Sequence, residues 1–416
     1  MSIRFPIRSL IAGCLAMALP AAAADHISIA ATLPLTGTES RSGLQYREGY
    51  DLAFALANAK GGLRVGGKQY LVDLRAVDDA SDPAKAGSLL EAYVVRDHVN
   101  LLLSSYSTRL VESQSTVAEK HHVPLVIGGA SSKSLFRRGY HYAFGLQASV
   151  EQLAFAEMRF VEEQQKAGKL PAKVRIALLW EDTAHGRDYR DSVLEYVRKT
   201  PARQAAYEIA LNEGFALDQK SYRKLLDNVK AGNVDVFLAD AHQADFIVMQ
   251  REYRSLGLCH AIASYGARGS EKKAAQEIGP HGVAGLVSGA WWTPLVASSA
   301  EGQTFLNAFR VRYNRDPEAY EAVGYEAARA LFAAIEKAGS VEPGAVRAAL
   351  ASLEMPSILP GGKLSFPEAK GYQAQGTFVL LQNQPDGSVA SVYPRAVATR
   401  EGTVRSCPAG EAAGQH

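Results

Sequence analysis

Residues 27–37 read ISIAATLPLTG, an apolar run from Ile27 to Leu33 stopped by Pro34-Leu35-Thr36-Gly37. A run that short and that apolar is a strand covered on both faces. The next segments decide what kind of sheet it enters. Gly43 to Lys60 brings Tyr46, Tyr50, Ala53, Leu56 and Ala57 round on the helical period, and Gln69 to Val77 (QYLVDLRAV) returns to strand. Asp82-Pro83 opens a helix through Val95, Asn100 to Leu103 is a buried strand, Thr108 to His121 a helix and Pro124 to Ile127 a strand. Strands separated by helices rather than hairpins predict an α/β fold with parallel sheets. The pattern restarts with strands at Lys173 to Leu179, Ala206 to Ala210, Val234 to Ala239 and Ala261 to Ser264. Helices at Asp188 to Thr200, Ser221 to Ala231 and Gln243 to Leu256 alternate with them. Two lobes are predicted, each a mostly parallel sheet with helices on both faces, and no Pro- or Ser-rich linker divides them.

Upstream of this pattern the chain changes character. Arg4 and Arg8 precede the apolar run Ser9 to Leu19, too short to cross a bilayer, and Pro20 with Ala21 to Ala24 supplies small residues for cleavage before Asp25. Residues 1–24 read as a cleavable export signal, which places the mature chain outside the cytoplasm. Ile11-Ala12-Gly13-Cys14 also fits a lipoprotein box, but Arg8 leaves little hydrophobic run before the cysteine, so cleavage after Ala24 is favoured. The mature chain keeps Cys259 and Cys407 in a compartment that permits oxidation, where either one disulfide or two thiols fit. The 416 residues are 47% hydrophobic and 21% charged, which is globular composition. Lys plus Arg is 45 and Asp plus Glu 43, so no net field exists to hold nucleic acid or an acidic membrane surface.

Ligands on open α/β sheets sit beyond the carboxyl ends of the strands, where loops lead into helix N-termini. Those loops are Pro34 to Gly37, Ser104 to Thr108 (SSYST), Gly128 to Ser132 (GGASS), Trp180 to Gly186 (WEDTAHG), Asp240-Ala241-His242 and Tyr265 to Gly269 (YGARG). A single Ser or Thr there is an ordinary helix cap; recurrence at several strand ends suggests a ligand site. Catalytic signatures fail by comparison. Gly62 to Gln69 (GLRVGGKQ) resembles a phosphate loop, but Gln69 replaces the metal-holding hydroxyl and a strand follows, so a glycine-rich turn is expected. Glu181, Asp182 and Asp188 have no nucleophile beside them and read as caps and surface charges. No metal or cofactor site is expected, and an enzyme is the minority hypothesis.

The leader, ISIAATLPLTG, a helix ending NAKGG, VDDASDPAKA, EKHHVPLVIGGASS and the late YEAVGYEAARAL together resemble the leucine/isoleucine/valine-binding protein family. These are type I periplasmic solute-binding proteins of ABC importers, and the likeness runs from about Ile27 to about Val397 with motif order preserved. The resemblance implies two lobes joined by three crossovers: residues 25–146 with 291–358, and 147–290 with 359–416. It implies a monomer that closes on a small solute and hands it to an inner-membrane permease. Hydroxyls and amides gripping the ligand carboxylate would fall on Ser107, Ala130 and Ser132. Where the family places an ammonium-binding glutamate stands Arg268, and His185 stands where a tyrosine usually precedes the glycine.

An α-ammonium beside a buried guanidinium would be repelled. The candidate lining around Arg268 is aromatic: Tyr106, Trp180, His185, His242, Tyr265, Trp291 and Trp292. The expected ligand is therefore a small hydrophobic carboxylate, an aromatic acid in first place, with branched-chain or other neutral amino acids as the alternative. A periplasmic sensor on the same fold is the competing role.

Overall fold

The computed structural model describes residues 25–407 together with Met1; the expected leader and Cys14 lie outside them. Strands β1 (His26–Leu33), β2 (Leu63–Val65), β3 (Lys68–Asp78), β4 (Leu102–Leu103), β5 (Leu125–Ile127) and β6 (Ala143–Gly145) form a six-stranded sheet in the order β2-β3-β1-β4-β5-β6. All pairings are parallel except the β2–β3 hairpin. That hairpin is where the phosphate-loop look-alike resides. Gly66 and Gly67 both take positive φ, 57° and 87°, between Val65 and its partner Lys68, a turn that glycine makes without steric cost.

The chain next forms β7 (Val174–Glu181), β8 (Tyr207–Phe215), β9 (Val236–Asp240), β10 (Ile262–Ser264) and β11 (Val287–Ala290). A separate pair, β12 (Glu354–Pro356) and β13 (Lys363–Ser365), precedes β14 (Val379–Asn383) and β15 (Val389–Tyr393). The second sheet runs β15-β14-β11-β10-β9-β7-β8, parallel from β11 to β8 and antiparallel at β14 and β15. The antiparallel edge was not foreseen, because it is built from strands that return after a long excursion.

That excursion is legible in the packing. After β11 the chain crosses back, and the helix Ala319–Ala338 packs on the helix Ser40–Ala59 of the first sheet. Gly49 permits the approach of these two helices: a Cβ there would sit 2.3 Å from the Glu321 carbonyl oxygen. Residues 366–378 then lead to β14, the third passage between sheets, counting the one after β6. Each sheet is covered on both faces. Leu90, Val111 and Leu125 pack on one side of the first sheet, and Leu226, Phe237 and Phe246 on one side of the second. A larger core, from Tyr46 through Val174 to Ile335, covers the other faces. Cys259 and Cys407 are joined, tying the end of the described chain to the segment before β10.

The helix after β7 begins at Ala184 rather than Asp188. Thr183 is its cap, accepting from the Gly186 N–H at 3.2 Å, so His185 lies in the first turn instead of in a loop.

Candidate functional site

The carboxyl ends of the two sheets face one another across a cleft. From the first sheet come Tyr106, Ser107 and Arg109 after β4, Gly129 and Ser131 after β5, and Gln147 after β6. From the second come Glu181 and His185 at β7, Asp240 and His242 at β9, Arg268 after β10 and Trp291 after β11. Tyr320, at the start of Ala319–Ala338, completes the wall. The enclosed space is about 30 Å³, room for one or two water molecules. Gly129 allows β4 and β5 to converge here, since a Cβ would lie 1.9 Å from the Ser105 carbonyl oxygen.

Aromatic rings form one side. Tyr106 and Tyr320 have centroids 4.9 Å apart and hydroxyls 3.2 Å apart, and Trp291 stands 5.9 Å from Tyr320. Tyr46 backs Tyr106 at 5.7 Å, donates to the Gly128 carbonyl at 2.7 Å and accepts from Gln147 at 3.1 Å. The Trp291 indole N–H donates to the Ala148 carbonyl at 3.2 Å, which fixes its ring.

Charges alternate across the rest. Glu39, buried at the start of the helix Ser40–Ala59, accepts from Arg109 at 2.8 Å and from the Ser107 hydroxyl at 3.1 Å. His185 contacts the Ser131 hydroxyl at 3.2 Å and Asp240 at 3.3 Å. His242 Nδ1 lies 2.7 Å from Glu181 Oε2, an ion-pair distance at an angle outside hydrogen-bond alignment. Its Nε2 reaches toward Glu39 at 3.8 Å. Burial alone would lower the pKa of both histidines, but Glu181 beside His242 and Asp240 beside His185 more than reverse it, so both are raised. For Glu181 burial raises the pKa, and the two histidines overcome it and hold the carboxyl below its ordinary range. Asp240 Oδ2 makes no aligned hydrogen bond although buried, so it remains an acceptor for a donor placed in the cleft.

Arg268 is 4% exposed and spans the cleft. It donates to the Tyr106 hydroxyl, and its other arm donates to Glu271 at 2.9 Å, with the Tyr320 ring 5.2 Å away. Its charge is thus answered by Glu271, three residues on at the N-cap of the helix Lys272–Ile278, so no ligand is needed to neutralise it.

Of the residues singled out from sequence, Tyr106, Ser107, His185, His242, Arg268 and Trp291 meet in the cleft. Five do not. Ala130 is packed into the core of the first sheet with Leu125 and Ala143, while its neighbours Gly129 and Ser131 line the cleft. Ser132 instead donates to Asp188 at 2.5 Å. Trp180 donates to Asn212 at 2.9 Å and stacks under Arg190 at 4.5 Å, on the edge beside β8. Tyr265 is fully buried against Phe237 and Phe246, and Trp292 packs on Phe305 at 5.3 Å. Glu181 is also corrected: at 2% exposure it belongs to the cleft, and Asp188 is buried as well, whereas Asp182 is a surface charge. Sequence reasoning missed Glu39, Gln147, Asp240 as a lining carboxylate, and Tyr320. Asp240 at a strand end next to His242 was the one with a readable signal. No cluster of His, Cys, Asp and Glu arranged to hold a metal ion occurs among the described residues.

A family model described as periplasmic binding protein matches residues 26–388. Leu/Ile/Val-binding protein homolog 8 of Brucella abortus (strain 2308) is 24% identical over 397 residues, covering 93% of this chain and 96% of its own. The substrate-binding protein LivJ of Streptococcus pneumoniae, solved with isoleucine, superposes with TM-score 0.76 at 19% identity, covering 89% of this chain and 100% of that one. An R. palustris solute-binding protein solved with benzoate gives TM-score 0.73 at 17% identity, covering 88% and 95%. The two lobes, the facing strand ends and the extent of the family match agree: the chain belongs to the periplasmic binding protein family, as a relative of the Leu/Ile/Val-binding proteins.

Proposed function

We propose that this protein is the exported solute receptor of an ABC importer and that its cleft captures a small carboxylate bearing a flat apolar group, an aromatic acid. The reading rests on one arrangement: Tyr106, Tyr320 and Trp291 form an aromatic wall in the same cleft as the Ser131 hydroxyl, His185 and His242. The wall stacks the ring, while the Ser131 hydroxyl and the two histidines hold the carboxylate. The benzoate complex of the R. palustris neighbour supports this choice. The lobes that close are residues 25–146 with 291–358, and 147–290 with the later strands. Two rigid sheets joined by three passages hinge as bodies. The arginines, apolar run and small residues of the leader support export to the periplasm.

A second reading, a neutral amino acid, is favoured by Asp240 Oδ2, which lacks a hydrogen bond and would accept from an α-ammonium. Calorimetric titration with benzoate, cinnamate, leucine and phenylalanine, on wild type and Asp240→Asn, separates the two. An aromatic-acid receptor binds benzoate or cinnamate and keeps that affinity in Asp240→Asn. Tight binding of leucine that Asp240→Asn abolishes would establish the amino-acid reading instead, and no binding of either class would overturn both.

A further inference from the structure

On the hinge side of the cleft lies a second, roomier cavity of about 370 Å³, within the size range of small-molecule sites. It shares Ala267, Trp291 and Tyr320 with the cleft, and Arg268 of the cleft donates to Tyr106 and to Glu271, a wall of the second cavity. Trp291, Trp292, Leu381 and Ala319 supply apolar surface. Two polar atoms there have no hydrogen bond: the indole Nε1 of Trp292, a residue 1% exposed, and Glu318 Oε2.

Each acid in this wall has a cation within 4 Å, but Glu318 Oε2 receives no hydrogen bond. Glu271 is engaged by Arg268 and Gln243, and Asp316 by Arg310 at 2.6 Å with Lys272 at 3.9 Å. Glu318 uses its side chain to cap the N-terminus of Ala319–Ala338, and Arg41 approaches only to 3.7 Å. Burial, then the charges of Glu271 and Glu321, raise its pKa to about 7, with Arg41 and Arg315 pulling the other way. A buried acceptor beside aromatic surface calls for a cationic donor carried on an apolar body.

We infer that this hinge-side cavity is a second ligand site, for small aromatic amines: the ammonium pairs with Glu318, the ring lies against the tryptophans, and an acceptor on the ligand meets the Trp292 N–H. The site is independent of which solute the cleft takes. The passage after β11 runs along it, and Trp291 and Tyr320 also line the cleft, so occupancy would be felt in both places.

The test uses the full mature chain and three probes of one shape: tyramine, its neutral alcohol 2-(4-hydroxyphenyl)ethanol, and the anion 3-(4-hydroxyphenyl)propanoate. Calorimetry and saturation-transfer NMR are run on wild type, Glu318→Gln, Ala319→Trp, which adds bulk to the cavity, and Ser107→Ala, a residue that lines only the cleft. Tyramine is expected to bind wild type better than either analogue. It should lose about tenfold or more in Glu318→Gln and in Ala319→Trp, and retain its affinity in Ser107→Ala. Should Ala319→Trp not melt cooperatively, the shape-preserving Glu318→Gln decides alone. Loss confined to Ser107→Ala, equal binding to all variants, preference for the anion, or no tyramine binding up to about 10 mM would each overturn the inference.

Discussion

Replacing Glu271 by Gln leaves the Arg268 guanidinium in place and removes the charge that answers it. The pair is 2.9 Å apart, with side chains 5% and 12% exposed. Charge centres near 4 Å at an effective dielectric of 20 attract by about 4 kcal/mol, and removing one partner of a buried pair costs about 3–5 kcal/mol when nothing relaxes. The Tyr106 hydroxyl and the Tyr320 ring remain as weaker partners, so a loss of about 2–4 kcal/mol is expected. Arg268→Met removes the other partner and leaves Glu271 with only the Gln243 amide, so it should cost stability as well. The double variant strands neither charge and should cost less than the two single changes summed, giving a coupling of about 2 kcal/mol or more. Urea unfolding of the four proteins at pH 7 measures this cycle, and small-angle scattering shows whether Glu271→Gln escapes by opening the cleft. Additivity within about 0.5 kcal/mol, with an unchanged radius, would refute the assignment of Glu271 as the counter-charge.

Glu157 is buried, and burial raises its pKa to about 7 against hydrogen bonds from Ser264 and Tyr189. A raised pKa means stability that is full below the unfolded value and lost as pH rises through about 7, at up to ~1.4 kcal/mol per unit. Glu157→Gln should therefore gain on wild type between pH 5 and 8 in thermal melts, and parallel curves would contradict it. Replacing Cys259 and Cys407 by Ser frees a loop of 148 residues' separation and should cost at most ~5 kcal/mol by the chain-entropy relation, measurable in urea; an unchanged midpoint would show the bond to be dispensable. In the cleft, Trp291→Ala should weaken the solute found by titration by about 1–3 kcal/mol, whereas Trp292→Phe leaves it nearly intact. Equal effects of the two would undo the separation of the two tryptophans.

The residues of β1, the cap at Asp82, the helix Thr108–His121 and the alternation through Gln243–Ser255 were readable because periodicity and capping act over a few residues. They determine the α/β class and the loops at which a ligand can sit. The edge strands β14 and β15 and the packing of Ala319–Ala338 against Ser40–Ala59 were not readable, since their partners lie far away in sequence. In the site the errors are often one residue wide: Gly129 and Ser131 line the cleft where Ala130 and Ser132 were expected, and Trp291 does so where Trp292 does not. In extended backbone successive side chains point to opposite sides, so a loop can be placed from sequence while the direction of each residue waits on how the loop is packed. Burial of Glu181, its pairing with His242 across two strands, and the capture of Arg268 by Glu271 and Tyr106 follow only from tertiary structure. Composition fixes how many charges the chain carries; the fold decides which of them lose water and must find one another.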